Sequence, residues 1–216
     1  MGTINNAMNN LKPWYRLNLD VANAISNTFN FTYPPEPNLP SIGDGNYVMR
    51  PHSHTSKQIL CQKWKDNIQS ILGADDLEVI VFYTAGRARY PFAHVDVNTA
   101  GTAPVCYGIN WVEFYEDTRD MIWYKQDQIA DSTENAQSTV GNFYQLSLPL
   151  KNNIIDTCRI GKQSTLVRTD IPHRISKPAS QSQQLRVAVS IRPVIPKVVT
   201  WQEAVEYFQH LVISDN

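Results

Sequence analysis

From residue 77 the chain reads LEVIVFYT (77–84), FAHVDV (92–97), APVCYGINWV (103–112), DMIWYK (120–125), FYQLSLPL (143–150), STLVRTDI (164–171) and LRVAVSIRP (185–193). Each segment is short and rich in β-branched and aromatic residues, and turn formers lie between most of them. Strands in this number with little helix between them predict a fold that is mainly β with flanking helices, an antiparallel jelly roll or sandwich. Upstream, residues 56–72 have a helical period: Ser56 is placed to cap, Leu60, Trp64, Ile68, Ile71 and Leu72 form an apolar stripe, and Gly73 stops it. Residues 20–29 suggest a shorter helix, with Asp20 as cap and Val21, Ala22, Ile25 and Phe29 on one side. The Pro- and Gly-dense FTYPPEPNLPSIGDGN (31–46) reads as an extended loop, and His52-Ser53-His54, in the Pro-flanked stretch just before the helix, is the main rival metal site but reads better as loop histidines. At the other end Thr200 and Glu203 form a capping-box pair, and Trp201, Val205, Phe208, Leu211 and Val212 share a face. QDQIADSTENAQSTVGN (126–142) is long and polar, a lid or a disordered stretch.

These pieces make one domain over 1–216: a helical and loop region (1–76), a jelly-roll core (77–195) and a C-terminal helix (196–216). Hydrophobic residues make up 42% of the chain, charged residues 18%, and the net charge is −1. That composition is globular, and the charge argues against broad contact with a nucleic-acid backbone. Basic residues are concentrated in 151–197, as Lys151, Arg159, Lys162, Arg168, Arg174, Lys177, Arg186, Arg192 and Lys197, and most of these suit a solvated face. No apolar run reaches the roughly 20 residues of a membrane span. The opening MGTINNAMNNLKPWY lacks the apolar core of a secretory signal, and Cys61, Cys106 and Cys158 are scattered with no CxxC. A reducing, cytoplasmic setting is the expectation, with no membrane partner.

His94 and Asp96 stand two apart in a segment of strand character, so both side chains point to one face and can meet on one ion. An HxD pair alone is common. What adds weight is His173 downstream, near the end of another predicted strand, and after it a strand on which Arg186, Ala188, Ser190 and Arg192 alternate onto one face. Two His and one carboxylate on one side of an octahedral ion leave three positions open. A guanidinium fork on the neighbouring strand suits a carboxylate ligand.

In these residues the chain resembles the Fe(II)/2-oxoglutarate dioxygenases, over roughly 77–195. The resemblance implies a double-stranded β-helix, Fe(II) held by His94, Asp96 and His173, and 2-oxoglutarate whose far carboxylate pairs with Arg186, or with Arg192 in its place. The stretch VIVFYTAGRARYPFAHVDVN (79–98) also looks like the segment before the metal motif in repair demethylases of the AlkB type, and places Tyr83 at a 2-oxoglutarate contact. Those enzymes carry two arginines spaced like Arg186 and Arg192, but with Asn and Thr between them where Ala188 and Ser190 stand here. Asp96 points to hydroxylation, demethylation or desaturation, because halogenases of this superfamily lack the carboxylate. A small molecule or amino acid is the expected substrate. A methylated base or a peptide side chain also fits the scaffold, as does a cupin-like barrel that binds metal without turnover.

Asn110, in an otherwise apolar strand, needs partners if buried and is a further co-substrate contact. Trp111, Trp123 and Tyr124 read as core. Arg87 and Arg89 read as solvated, Arg168 and Arg174 have no assigned role, and His210 reads as a partly buried helix residue. Neither a GxSxG elbow nor a phosphate-binding glycine motif is present. The oligomeric state is left open.

Overall fold

The computed structural model describes residues 11–29, 31, 47–86, 93–96, 105–114, 119–125, 133–138, 141–146, 153–176, 186–195 and 197–214. For 47–55, 58, 83–86, 114, 133–138 and 141–146 it describes the backbone alone. The strands are β1 (Trp14–Arg16), β2 (Tyr47–Thr55), β3 (Leu77–Gly86), β4 (Ala93–Asp96), β5 (Tyr107–Phe114), β6 (Met121–Tyr124), β7 (Thr133–Ser138), β8 (Gly141–Leu146), β9 (Ile154–Cys158), β10 (Thr165–Arg168), β11 (His173–Ile175) and β12 (Arg186–Pro193). They form two six-stranded antiparallel sheets, ordered β1-β10-β5-β12-β3-β2 and β7-β8-β4-β11-β6-β9. The mainly β reading is therefore correct. From β3 to β6, and again from β9 to β12, the chain passes back and forth between the two sheets.

Strand alternation divides the core in two. On one face of the first sheet Val187, Val189 and Ile191 of β12 and Ile109 and Trp111 of β5 join a cluster that includes helix α2 (Gln62–Leu72) and helix α3 (Trp201–Phe208). On the other face Val112, Val167 and Ala188 meet Met121, Trp123 and Cys158 of the second sheet. Every residue of β12 is buried, as a central strand covered on both faces must be. Its even-numbered residues therefore face the space between the sheets.

The helices differ from expectation in detail. The 56–72 helix is broken: α1 (Ser56–Ile59) stops where Leu60 bridges Ile25, Ser26 N–H donates to Ile59 O and Cys61 N–H donates to Ala24 O. Ser56 is no cap for the long helix; its hydroxyl donates to Asp76 Oδ1 at 2.7 Å. Gly73 does end α2, at φ 57°. Residues 20–29 hold turns rather than a helix, because the Asp20 side chain accepts the Ala22 N–H in a local turn and Leu17, Leu19 and Val21 bury at alternate positions. The Thr200 and Glu203 capping box is present, and it starts α3. The stretch 126–142 contains β7 and the start of β8 rather than one long loop, with 126–132 and 139–140 outside the described residues. Among the described residues no helix is long and apolar enough to cross a membrane.

Candidate metal centre

β4 and β11 are neighbours in the second sheet, and His94 and His173 lie directly opposite in their register. Asp96, two residues on from His94, shares its face. One ligand atom from each of the three residues lies within 4.8 Å of the others. His94 Nε2 is 3.5 Å and His173 Nε2 3.9 Å from the same oxygen, Asp96 Oδ1. Those gaps are too long for hydrogen bonds. Two ligands at right angles on an ion with bonds of about 2.1 Å stand about 3 Å apart, so a small inward movement closes the set on one ion. The two rings lie 4.4 Å apart at 52°, which presents two nitrogens rather than two stacked faces.

The protonation states favour ligation. His173 Nδ1 lies 2.9 Å from Ile171 O, so Nδ1–H donates to the carbonyl and Nε2 keeps its lone pair for an ion. Burial pushes the His173 pKa down, against the pull of Asp96, and keeps the ring neutral. Burial pushes the Asp96 carboxyl up, but Arg192, then His173 and His94, outweigh it and hold the group at about 2. Arg192 does so directly: its guanidinium donates to Asp96 Oδ2 at 2.5 Å. One carboxylate oxygen thus faces the imidazoles and the other is tied from behind. Two imidazole nitrogens and one carboxylate oxygen on one side form a donor set that can hold a divalent ion with several positions open.

Arg186 is 4% exposed and lies on the same face of β12, three alternations from Arg192. Between them are Ala188 and Ser190, and opposite Ser190 stands Asn110 of β5. Asn110 Oδ1, Ser190 Oγ and Arg192 Nε are all buried without a hydrogen-bond partner. The structure thus brings Asn110 and Arg192 to one wall. Tyr83 pairs with Val187 in the β3–β12 register, and its side chain is outside the described residues. Trp123, opposite His173, is core and donates from Nε1 to Arg168 O.

Among the described residues the metal-ligating group contains only His94, Asp96 and His173, and the side chains of His52 and His54 lie outside the described residues. His52 and His54 lie in strand β2, opposite Val81 and Val79, not in a loop. His210 is in the exposed turn after α3. Arg87, Arg89, Lys151 and Lys177 lie outside the described residues. The basic stretch is largely spoken for: Arg159 pairs with Asp120, Arg168 with Asp170, Arg192 with Asp96, and Arg174 sits over the Tyr124 ring. A cleft of about 550 Å³ between Leu19, Trp111, Glu113 and Lys162 is lined by none of the triad.

Sequence reasoning missed the Arg192–Asp96 pair and the part played by Gly108, which lies under Ser190, Asn110 and Arg192. A glycine inside an apolar strand pattern is the signal that marks such a close approach. No protein-family model, curated protein or solved structure matches the chain.

Proposed function

We propose that the chain is an Fe(II)- and 2-oxoglutarate-dependent oxygenase built on a double-stranded β-helix, acting on a small molecule. The observation that carries the reading is the convergence of His94, Asp96 and His173 on one wall of the intersheet space, facing a strand that buries two arginines. The alternation of successive strands between the sheets supports the jelly-roll assignment. Fe(II) with 2-oxoglutarate would let O2 oxidise a C–H bond, one oxygen atom going to the substrate and the other to succinate as 2-oxoglutarate loses CO2. The protein's own residues bind and orient. His94, Asp96 and His173 hold the ion from one side. Arg192 fixes Asp96, and Arg186, buried on the same face of β12, is the residue assigned to pair with the far carboxylate of 2-oxoglutarate. Asn110 faces the same space. The apolar residues between the sheets, among them Val112, Trp123 and Ala188, keep water out. Three arginines of the basic stretch, Arg159, Arg168 and Arg192, are paired with carboxylates at short range and so offer less to a nucleic-acid backbone, which favours a small substrate over a methylated base.

Anaerobic titration with Fe(II) and then 2-oxoglutarate tests the proposal. The chelate should give its weak visible charge-transfer band, and Asp96→Ala should lose it. Metal binding with no band would favour a barrel that sequesters metal. Failure to bind either ligand would overturn the reading.

A further inference from the structure

Gly108 is the second residue of β5, within a strand, where glycine offers no side chain and excess backbone freedom. Its backbone does not call for glycine, since among the described residues only Gly73 has a positive φ. The reason is space. A Cβ at position 108 would stand 2.9 Å from Ser190 Oγ, 3.2 Å from Asn110 Oδ1 and 3.8 Å from Arg192 Nε.

We propose that Gly108 is a positioning residue for the metal carboxylate: lacking a side chain, it keeps open the lane by which Arg192 crosses from β12 to Asp96 on the facing sheet. This rests on the metal-site reading given above. The Ser190 backbone is paired on both sides, to Ile80 and Asn110, so relief of the contact must come from rotation of its hydroxyl within a space where Ser190 is only 1% exposed. The Cβ would itself be in ordinary contact with Arg192 Nε, at 3.8 Å, so Arg192, the next residue on that face, is displaced through the turning of Ser190 Oγ and Asn110 Oδ1. Arg192 Nε makes no hydrogen bond, so the guanidinium is held at Asp96 by its bond to Oδ2 and by packing. A displaced Arg192 releases Oδ2. Asp96 can then rotate, or offer both oxygens to the ion and close a position that would otherwise stay open. Gly108 touches neither the ion nor a ligand; it acts through Arg192.

Co(II) binding by titration calorimetry, with the visible spectrum of the Co(II) complex as a readout of coordination, tests this. Gly108→Ala should weaken binding by about 10- to 100-fold, the usual cost of disturbing an outer-shell partner, and should change the spectrum. Gly108→Ala/Ser190→Ala, which removes the oxygen that the new Cβ strikes first, should recover most of both. In the Arg192→Met background, where no guanidinium remains to displace, adding Gly108→Ala should cause no further loss. The inference is overturned if Gly108→Ala binds Co(II) with the original affinity and spectrum, or if it costs as much in the Arg192→Met background as alone. That second comparison serves even where Gly108→Ala by itself folds poorly. Absence of Co(II) binding by the unaltered chain would overturn the metal-site reading and this inference together, whereas the other two results leave the metal site standing.

Discussion

Arg192→Met keeps the apolar stem of the side chain and removes the guanidinium bonded to Asp96 Oδ2 at 2.5 Å. Both side chains are mostly buried, at 11% and 16% exposure, so solvent does little to replace what is lost. With burial raising it and Arg192 leading the groups that lower it, the Asp96 carboxyl stands at about 2 against an ordinary 3.8. At about 1.4 kcal/mol per pH unit, a depression of that size corresponds to about 2–3 kcal/mol of folding stability, of which Arg192 supplies the largest share near neutral pH. Leaving a buried carboxylate without its partner can raise the loss to about 3–5 kcal/mol. A carboxyl depressed in the folded state contributes stability above its unfolded pKa and loses that contribution as pH falls through the folded one. The deficit of Arg192→Met should therefore be full near neutral pH and shrink between about pH 4 and pH 2, as the carboxyl protonates. A divalent ion in the triad brings its own positive charge, so saturating Co(II) should shrink the deficit at neutral pH as well. Urea unfolding across this pH range, with and without Co(II), measures both effects. A metal-free deficit under about 0.5 kcal/mol at neutral pH, the scatter of ordinary surface changes, would refute the electrostatic account.

Three further outcomes are expected. Because burial lowers the His173 pKa, metal affinity should hold level as pH falls to 6.5 and decline only below it, a profile that calorimetry over this range can check. Over the same interval the metal-free protein should lose stability, since the unfolded chain takes up a proton that the folded one refuses. Thr200→Ala removes the hydroxyl that accepts from Glu203 N–H at 3.2 Å, and should cost about 1 kcal/mol in thermal or urea unfolding. Gly73→Ala places a side chain at φ 57°, against the Lys197 stem, and should cost about 1–2 kcal/mol with no change in Co(II) affinity.

The clustering of the candidate metal ligands was legible because its chemistry is written in residue types. A His and an Asp two apart on a strand must share a face, and His173 supplied the third ligand. What it could not show is that Arg192 would be taken up by Asp96, since that contact spans 96 residues and two sheets. The central strands announced themselves through continuous β-branched runs, as β12 does. The edge strands did not. β2 contains Pro51 and β7 reads TENAQS, yet both lie at sheet edges, where a proline withholds no needed donor and a polar residue meets water. The misread of 20–29 has a different cause: the apolar spacing allows a helix, but the turn at Asp20 and the buried alternation of Leu17, Leu19 and Val21 hold the chain extended.

β1 lies at the edge of the first sheet and is held by residues far along the chain. Leu17 bridges Val212, Ile213 N–H donates to Arg16 O, and Trp201 Nε1 donates to Lys12 O beside the stacked Tyr15 ring. During synthesis, then, the β1 edge must wait until residues 201–213 have left the ribosome before these partners emerge. Closing so long a loop is slow, and until it closes the Leu17 and Tyr15 side chains have no cover. The segment from Trp201 to Ile213 thus acts as a latch on the β1 end of the first sheet. A chain cut short before it should gather the triad's strands and still aggregate, through the edge that β1 leaves unguarded.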